Sequence, residues 1–324
     1  MDDLLKEALG NYNIENPKIE FIRHNENKTF RLKNPRSMQE YVLRIHKTSR
    51  DFSKDIFGES EQRLDFLNGE MEVLDFIRRD TDLLIQMPIK NRDGKFVTIL
   101  KDGTFVTVLT WIDGNTIEET KQTEDIAYKV GQMVGKLHNL PKYKIESSNI
   151  KRYYYDKKLL LNSIVKIRSI LDARIISTEQ YIAIEKAISE VIIRISELDA
   201  KEKHMSLVHS DLAKSNLIVS GSQIVPIDFS LSGYSYYYMD LGSLFSHFTE
   251  ANERKDIMAG YRSMNSKTID LRYIEAFIVF QIILFIVTHT KGAAKMEWFG
   301  EAINRWSREF FVPFSEGTPF IRID

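Results

Sequence analysis

LVHSDLAKSNLIVSGSQIVPID, residues Leu207–Asp228, carries three polar side chains at fixed spacing between apolar runs: Asp211, Asn216 and Asp228. His209, Asp211 and Asn216 read H-x-D-x-x-x-x-N. Asp228 closes the next β-type run, twelve residues after Asn216. Phosphoryl transfer needs this set: one carboxylate to accept or orient the proton of an attacking hydroxyl, and an amide and a second carboxylate to hold a divalent metal. A short loop between two strands keeps Asp211 and Asn216 on one side. Asn216–Val219 and Gln223–Asp228 flank Ser220-Gly221-Ser222 as a hairpin. Each piece is common alone, and a capping Asp with a turn Asn is the bland alternative. The ordered set, with strands between, is specific.

The bulk of the chain bounds what can surround this stretch. Its 324 residues suggest about two domains of ordinary size. A formal net charge of −1 gives no field to draw nucleic acid or an anionic membrane. There are no cysteines, which excludes disulfide scaffolds, thiolate metal sites and cysteine nucleophiles and fits a cytoplasmic protein. The N-terminus, MDDLLKEALG, is acidic and lacks the basic and apolar regions of a secretory signal. Ile274–Val287 is the most apolar run, but it is short for a span and carries Glu275 and Gln281, so a buried core helix is expected.

Upstream, IEFIRHNENKTFRL and YVLRIHK read as antiparallel strands, with Asn34-Pro35 as a turn. Tyr41, Leu43 and Ile45 alternate with Val42 and Arg44. Thr48–Gln62 reads as loop. Leu67, Met71, Leu74 and Ile77 then recur at helical spacing, with Glu70 beside the stripe. Ile85–Val97 suggests a hairpin turning at Asp93-Gly94, and Phe105–Trp111 a strand ending at Asp113-Gly114. Beyond it the pattern is helical: Ile126, Val130, Met133, Val134 and Leu137 line one face, with Thr123 as cap and Glu124 and Asp125 in the first turn. Ser163–Leu198 holds one or two long helices, and Met239–Phe314 is mostly helical. The expected class is α+β: a β-rich part over residues 1–109, a connector at 110–114, and a helical part over 115–324.

The chain resembles the aminoglycoside phosphotransferase and choline kinase-like superfamily, relatives of the eukaryotic protein kinases. The likeness rests on HSDLAKSN, on Ile227-Asp228-Phe229, on Met239-Asp240-Leu241-Gly242, and on the order of the elements down to Gly135–His138. It covers roughly Ile19 to Leu244. The resemblance implies a bilobal protein kinase-like fold with ATP or GTP in the cleft and Mg²⁺ as cofactor. It implies Asp211 as catalytic base and Asn216 and Asp228 as metal ligands. Arg44 stands where the family usually has lysine, and Glu70 where that lysine's partner sits. Arg keeps the charge with a planar fork but is bulkier. The adenine would be read by backbone groups of Thr110 and Ile112, with Leu109 behind it.

Two further departures stand out. His24–Lys28 contains no glycine, so a phosphate cover there would rely on side chains such as Asn27, Lys28 and Thr29. Ser230 follows Asp228-Phe229 where protein kinases have Gly, so no regulated flip is expected. The aromatic run Gly233–Met239 reads as packing, and Asn149–Asp156 as an anchor. His138 and His209 are expected to be structural. His204 precedes His209 by five residues, but no H-E-x-x-H exists, so zinc hydrolysis is not expected. The acceptor is a small-molecule hydroxyl: an aminoglycoside, or a metabolite such as homoserine or choline. Asp240, Glu250 and Glu275 are candidate carboxylates for a polycation. A protein serine or threonine, in the manner of stress-response kinases, is the alternative, as is a non-catalytic nucleotide-binding protein.

Overall fold

The computed structural model describes residues 3–24, 27–47, 53–120, 125–141, 149–201 and 205–323. Asn25-Glu26 of the first turn, Thr48–Phe52 of the expected loop, the Thr123 cap with Glu124, and His204 lie outside them.

The chain opens with a helix, α1 (Asp3–Gly10), that the acidic N-terminal pattern does not announce. The strands β1 (Lys18–His24), β2 (Asn27–Lys33) and β3 (Glu40–His46) follow as an antiparallel meander. Alternation along β3 sorts its two faces. Leu43 and Ile45 join Leu5, Ala8 and Tyr12 in one apolar cluster, so α1 covers that face. Val42 and Arg44 point the other way, toward α2 (Arg63–Asp80), whose stripe of Leu67, Met71, Leu74 and Ile77 is buried as the periodicity requires. Two short 3₁₀ turns, Asp55–Phe57 and Glu59–Glu61, precede α2.

The reading of Ile85–Val97 as a hairpin needs correction. Asp93-Gly94 is a turn, with Gly94 at φ 76° and the Asn91 amide bonded to the Lys95 carbonyl. But β4 (Pro88–Ile89) and β5 (Val97–Ile99) do not pair with each other. Both pair with β6 (Phe105–Thr110), and the hairpin lies between β5 and β6, at Asp102-Gly103. Strand partners are chosen by the long β6 edge, which a local turn signal does not report.

After β6 the chain passes through Trp111–Gly114 to β7 (Asn115–Thr116), then to α3 (Ile126–Leu137), β8 (Tyr153–Tyr154), α4 (Lys157–Asp172) and α5 (Thr178–Lys201). The strand β9 (Ser206–Val208) leads into the loop that carries Asp211. The expected hairpin forms from β10 (Leu217–Ser220) and β11 (Gln223–Pro226), but Ser220 pairs with Gln223, so the turn is Gly221-Ser222 and the strand ends two residues before Asp228; β7 pairs on β10. Next come β12 (Gly233–Ser235), α6 (Tyr238–His247), α7 (Ala251–Met264), α8 (Leu271–His289) and α9 (Trp298–Trp306).

Helices α3 and α7 approach closely because glycines face backbone. A Cβ on Gly131 would lie 2.0 Å from the Ile257 carbonyl oxygen, and one on Gly260 would lie 1.9 Å from that of Tyr128. Helix α8 is long and apolar enough to cross a membrane by length and composition, yet most of its side chains are buried in the main cluster with α5 and α6. It is a core helix. Tyr236, Tyr237 and Tyr238 are buried in that cluster, so the aromatic run is packing. The whole is an α+β fold, a β-sheet region followed by a helical one.

Candidate active site

The loop that carries Asp211 is held from below by Asp240. One of its carboxylate oxygens accepts the Ser210 amide at 2.6 Å; the other accepts the His209 amide and the His138 ring, each at 3.0 Å. Asp240 is fully buried, so these bonds replace its hydration. Ser210 sits in the left-handed region at φ 71°, a conformation that costs an L-residue about 1–3 kcal/mol and that these bonds hold in place. The Leu212 amide bonds to Ser243 Oγ at 2.8 Å, and Gln281 Nε2 donates to the Ser210 carbonyl at 2.9 Å. Helices α6 and α8 therefore fix where Asp211 points.

Asn216 Nδ2 donates to both the Asp211 side chain (2.9 Å) and its carbonyl (3.0 Å). Asn216 also accepts the Ile227 amide through its backbone, which ties the loop to the residue before Asp228. Burial raises the Asp211 pKa above the ordinary value, the nearby Asp228 adds to that, and His209, His247 and Asn216 oppose it. Asp228 itself is in the left-handed region at φ 63°. His209 is structural as expected: its Nε2 meets the Ile227 carbonyl at 3.0 Å, its Nδ1 accepts the Asp211 amide, and its ring lies on Phe229.

Above the loop, Arg44 Nη2 bonds Glu70 Oε1 at 2.7 Å, and Nη1 stands 3.8 Å from Asp228 Oδ1. Both Arg44 and Glu70 are buried. Burial alone would weaken the charge on Arg44, but Glu70 and Asp228 more than offset it and its pKa is raised. His46, two residues along the same face, is pushed well below the ordinary histidine value by burial and by Arg44. It bonds Thr107 Oγ1 instead of carrying charge.

The sequence also pointed to a base-binding segment. Leu109 is buried with Val42, Met71, Leu74 and Phe229. Ile112 packs separately with Ile218 and Val225, and Ile227 borders them. Among the described residues the Ile112 amide makes no backbone hydrogen bond. The Thr110 carbonyl already accepts Gln86 Nε2 at 3.2 Å, and its second lone pair is what a base would use. Asn27 begins β2, half-buried and paired with His46 in the sheet, rather than standing in a loop.

Two features are not readable from local sequence. The carboxylates suggested for a polycation are committed elsewhere: Asp240 to the loop amides and His138, and Glu275 to the amides of Phe320 and Ile321. Glu250 is exposed at the head of α7. None of the three lines the cavity of 310 Å³ into which Asp211 opens. Second, Arg152 is buried beneath the segment after Asp228. It donates to the carbonyls of Phe66 (2.7 Å), Phe229 (3.2 Å), Ser230 (2.6 Å) and Ser232 (2.8 Å). The anchor reading of Asn149–Asp156 holds, but its partners come from distant parts of the chain. No local pattern announces them.

The residues fit a nucleotide and a metal. Arg44 Nε is buried without a hydrogen-bond partner in a pocket that already gathers two carboxylates, as an anion site would leave it. With its nitrogen spent on Asp211, Asn216 presents its amide oxygen. Among the described residues no cluster of three or more His, Cys, Asp or Glu could hold a metal. Magnesium characteristically takes one or two carboxylates and completes its shell with phosphates and water, so Asp228 with an amide oxygen suffices.

Comparison with known proteins agrees. The model of the phosphotransferase enzyme family matches residues 18–272. The amicoumacin kinase of Bacillus subtilis (strain 168) is 24% identical over 248 residues, 75% of this chain and 67% of that one. Among solved structures, an amicoumacin kinase in complex with AMP-PNP, Ca²⁺ and Ami superposes with a TM-score of 0.73 at 17% identity, covering 100% of this chain and 96% of the other. A microcompartment-associated aminopropanol kinase superposes with a TM-score of 0.72 at 18% identity, covering 98% and 99%. The fold is the kinase-like one that the sequence resemblance implied, and the chain belongs to the phosphotransferase enzyme family.

Proposed function

We propose that this protein transfers the γ-phosphoryl group of ATP or GTP to a hydroxyl of a small-molecule acceptor, with Mg²⁺ as the metal. The observation that carries this is that Asp211 with Asn216, and Asp228 with Arg44 and Glu70, lie together, joined by the Ile227 amide bond to the Asn216 carbonyl and by the proximity of Asp228 to Asp211. The similarity to kinases named for amicoumacin and aminopropanol supports a small acceptor. So does the opening of Asp211 into a cavity of 310 Å³.

Asp211 accepts the acceptor's O–H proton through a hydrogen bond. Burial raises its pKa above that of an ordinary aspartate, so its ionised form is a stronger base. The acceptor oxygen bonds to the γ-phosphorus, the bond to the β–γ bridging oxygen breaks, and a nucleoside diphosphate leaves. Asn216 orients the Asp211 carboxylate through its side-chain bond. Asn216 and Asp228 would hold the metal, which neutralises phosphate charge when bound. Arg44, braced by Glu70, sets a fixed positive charge beside the phosphates. Thr110 and Ile112 present backbone groups to the base, Leu109 closes the back, and Asn27 adds a donor from the first sheet. Residues 110–114 serve as the hinge.

The test is nucleotide turnover against a panel of alcohols, with Asp211→Ala as control. Alcohol-dependent ADP or GDP formation that Asp211→Ala abolishes is the expected result. Turnover indifferent to that substitution would refute the role of Asp211 as base. AMP-PNP with Mg²⁺ should raise the melting temperature, since a ligand at about 100 times its Kd stabilises by roughly 2.7 kcal/mol.

A further inference from the structure

Half of the residues that line the Asp211 cavity are aromatic or aliphatic. Helix α8 runs beneath the catalytic loop, fixed there by the Gln281 bond to the Ser210 carbonyl, and offers Ile282, Leu284 and Phe285 to the cavity. Phe57 and Tyr155 also line it, their rings 5.7 Å apart. Tyr155 spends its hydroxyl on the Leu231 carbonyl at 2.5 Å, and burial raises its pKa, so it contributes a ring face and no charge.

A second observation lies at the rim. Phe285 is 38% exposed, and its ring centroid lies 5.6 Å from that of Trp306, which also lines the cavity, and 6.0 Å from that of Trp298, itself 46% exposed. Large aromatic rings left partly in water beside a cavity can be buried by a ligand, and aromatic pairs contribute beyond the area they bury.

The charge pattern agrees. Among the described residues Asp211 is the one carboxylate lining the cavity, and no Lys or Arg lines it. The other polar groups there are mainly hydroxyls, the amide of Gln281 and His247, whose pKa is lowered by lost solvation. Among the described lining residues a polycation would find one counter-charge, Asp211, which the proposed proton transfer uses. A volume of 310 Å³ is at the small end of sites for drug-sized ligands, about 300–1,000 Å³, and is roomy for a bare ammonium headgroup.

We propose that the acceptor is a largely apolar alcohol carrying an aromatic or similarly flat ring and at most one positive charge. Its ring packs on Phe285 and Trp306, and its hydroxyl faces Asp211. This deepens the phosphoryl-transfer reading and rests on it.

The test compares phenylalaninol with alaninol, which differ only in the ring, and with choline and kanamycin. Both nucleotide turnover and calorimetric binding, in the presence of AMP-PNP and Mg²⁺, are read on the full chain. Phenylalaninol should exceed alaninol at least 10-fold in kcat/KM and in affinity. Phe285→Ala should erase most of that margin while moving alaninol little. Phe285 is partly exposed, so its loss should leave the chain folded, and Trp306→Leu is the second variant. Ser246→Asp, which adds a carboxylate from an exposed position on α6, should raise the relative rate with kanamycin. Choline or kanamycin outperforming phenylalaninol, or a ring margin untouched by both aromatic variants, overturns the proposal. Phenylalaninol that binds through Phe285 but is never phosphorylated upholds the cavity inference and refutes the transfer reading. Phosphorylation of choline or kanamycin without binding of phenylalaninol does the reverse.

Discussion

Arg44 and Glu70 meet at 2.7 Å between β3 and α2, and the same guanidinium lies 3.8 Å from Asp228. One side chain thus links the sheet, the helix and the proposed metal ligand. Removing one partner of a buried pair strands the other charge, typically at a cost of about 3–5 kcal/mol. Glu70→Ala should lose stability of that order in urea denaturation and raise the nucleotide KM. Arg44→Lys keeps the charge but cannot span both carboxylates with a planar fork, so it should unfold less readily than Glu70→Ala and still bind nucleotide weakly.

The Asp211 carboxyl is raised above the ordinary aspartate value, chiefly by burial. Activity needs the ionised form, so the acid limb of kcat/KM should fall at higher pH than for an exposed aspartate. Asn216 donates to the ionised carboxylate and opposes the rise. Asn216→Ala should therefore move that limb further up, read from a pH–rate profile of whatever activity remains.

Stability carries the opposite sign. A carboxyl whose pKa is higher in the folded chain than in the unfolded one binds protons more tightly when folded. Its contribution is most favourable at low pH and declines as pH rises from the unfolded value through the folded one. Asp211→Asn should accordingly be inactive yet melt higher than the unmodified protein at neutral pH. The gain should shrink as pH falls toward the ordinary aspartate range.

Arg152 joins α2, through the Phe66 carbonyl, to three carbonyls after Asp228. Hydrogen bonds from charged groups contribute about 1.5–3 kcal/mol each. Arg152→Lys replaces a fork by a point donor, and it should lower kcat and stability together while leaving the acceptor KM nearly unchanged. A changed acceptor KM with unchanged kcat would argue against Arg152 as a positioning residue.

Gly131→Ala sets propensity against packing. Alanine favours a helix by about 1 kcal/mol over glycine. At this crossing the added Cβ would meet the Ile257 carbonyl at 2.0 Å, which forces α3 and α7 apart. Overpacking of this kind costs about 1–3 kcal/mol. The variant should be less stable by thermal melting, the opposite of what helix propensity alone expects.

Much of the fold was legible in the chain because it is local. The β10–β11 hairpin depends on near neighbours and on period-two alternation. So do the two faces of β3 and the buried stripe of α2, where 3.6-residue periodicity does the same work. The loop from His209 to Asn216 is legible by its residue types but is held by Asp240, Ser243 and Gln281 from distant helices. What was misread is non-local. The β4 and β5 segments seek β6 rather than each other, and α1 is drawn onto the sheet by Leu5, Ala8 and Tyr12.

The charged residues divide in the same way. Spacing alone selected Asp211, Asn216 and Asp228, since the chemistry demands those types in that order. Spacing could not separate Asp240 and Glu275 from carboxylates open to a ligand, because their partners are backbone amides 30 or more residues away. Sequence by itself pointed to Asp211, Asn216 and Asp228, which lie on adjacent elements with short connections. Only tertiary structure decided the walls around them: Phe57, Tyr155, Phe285 and Trp306 reach one cavity from separate segments, because burial and packing there depend on residues far apart in the chain.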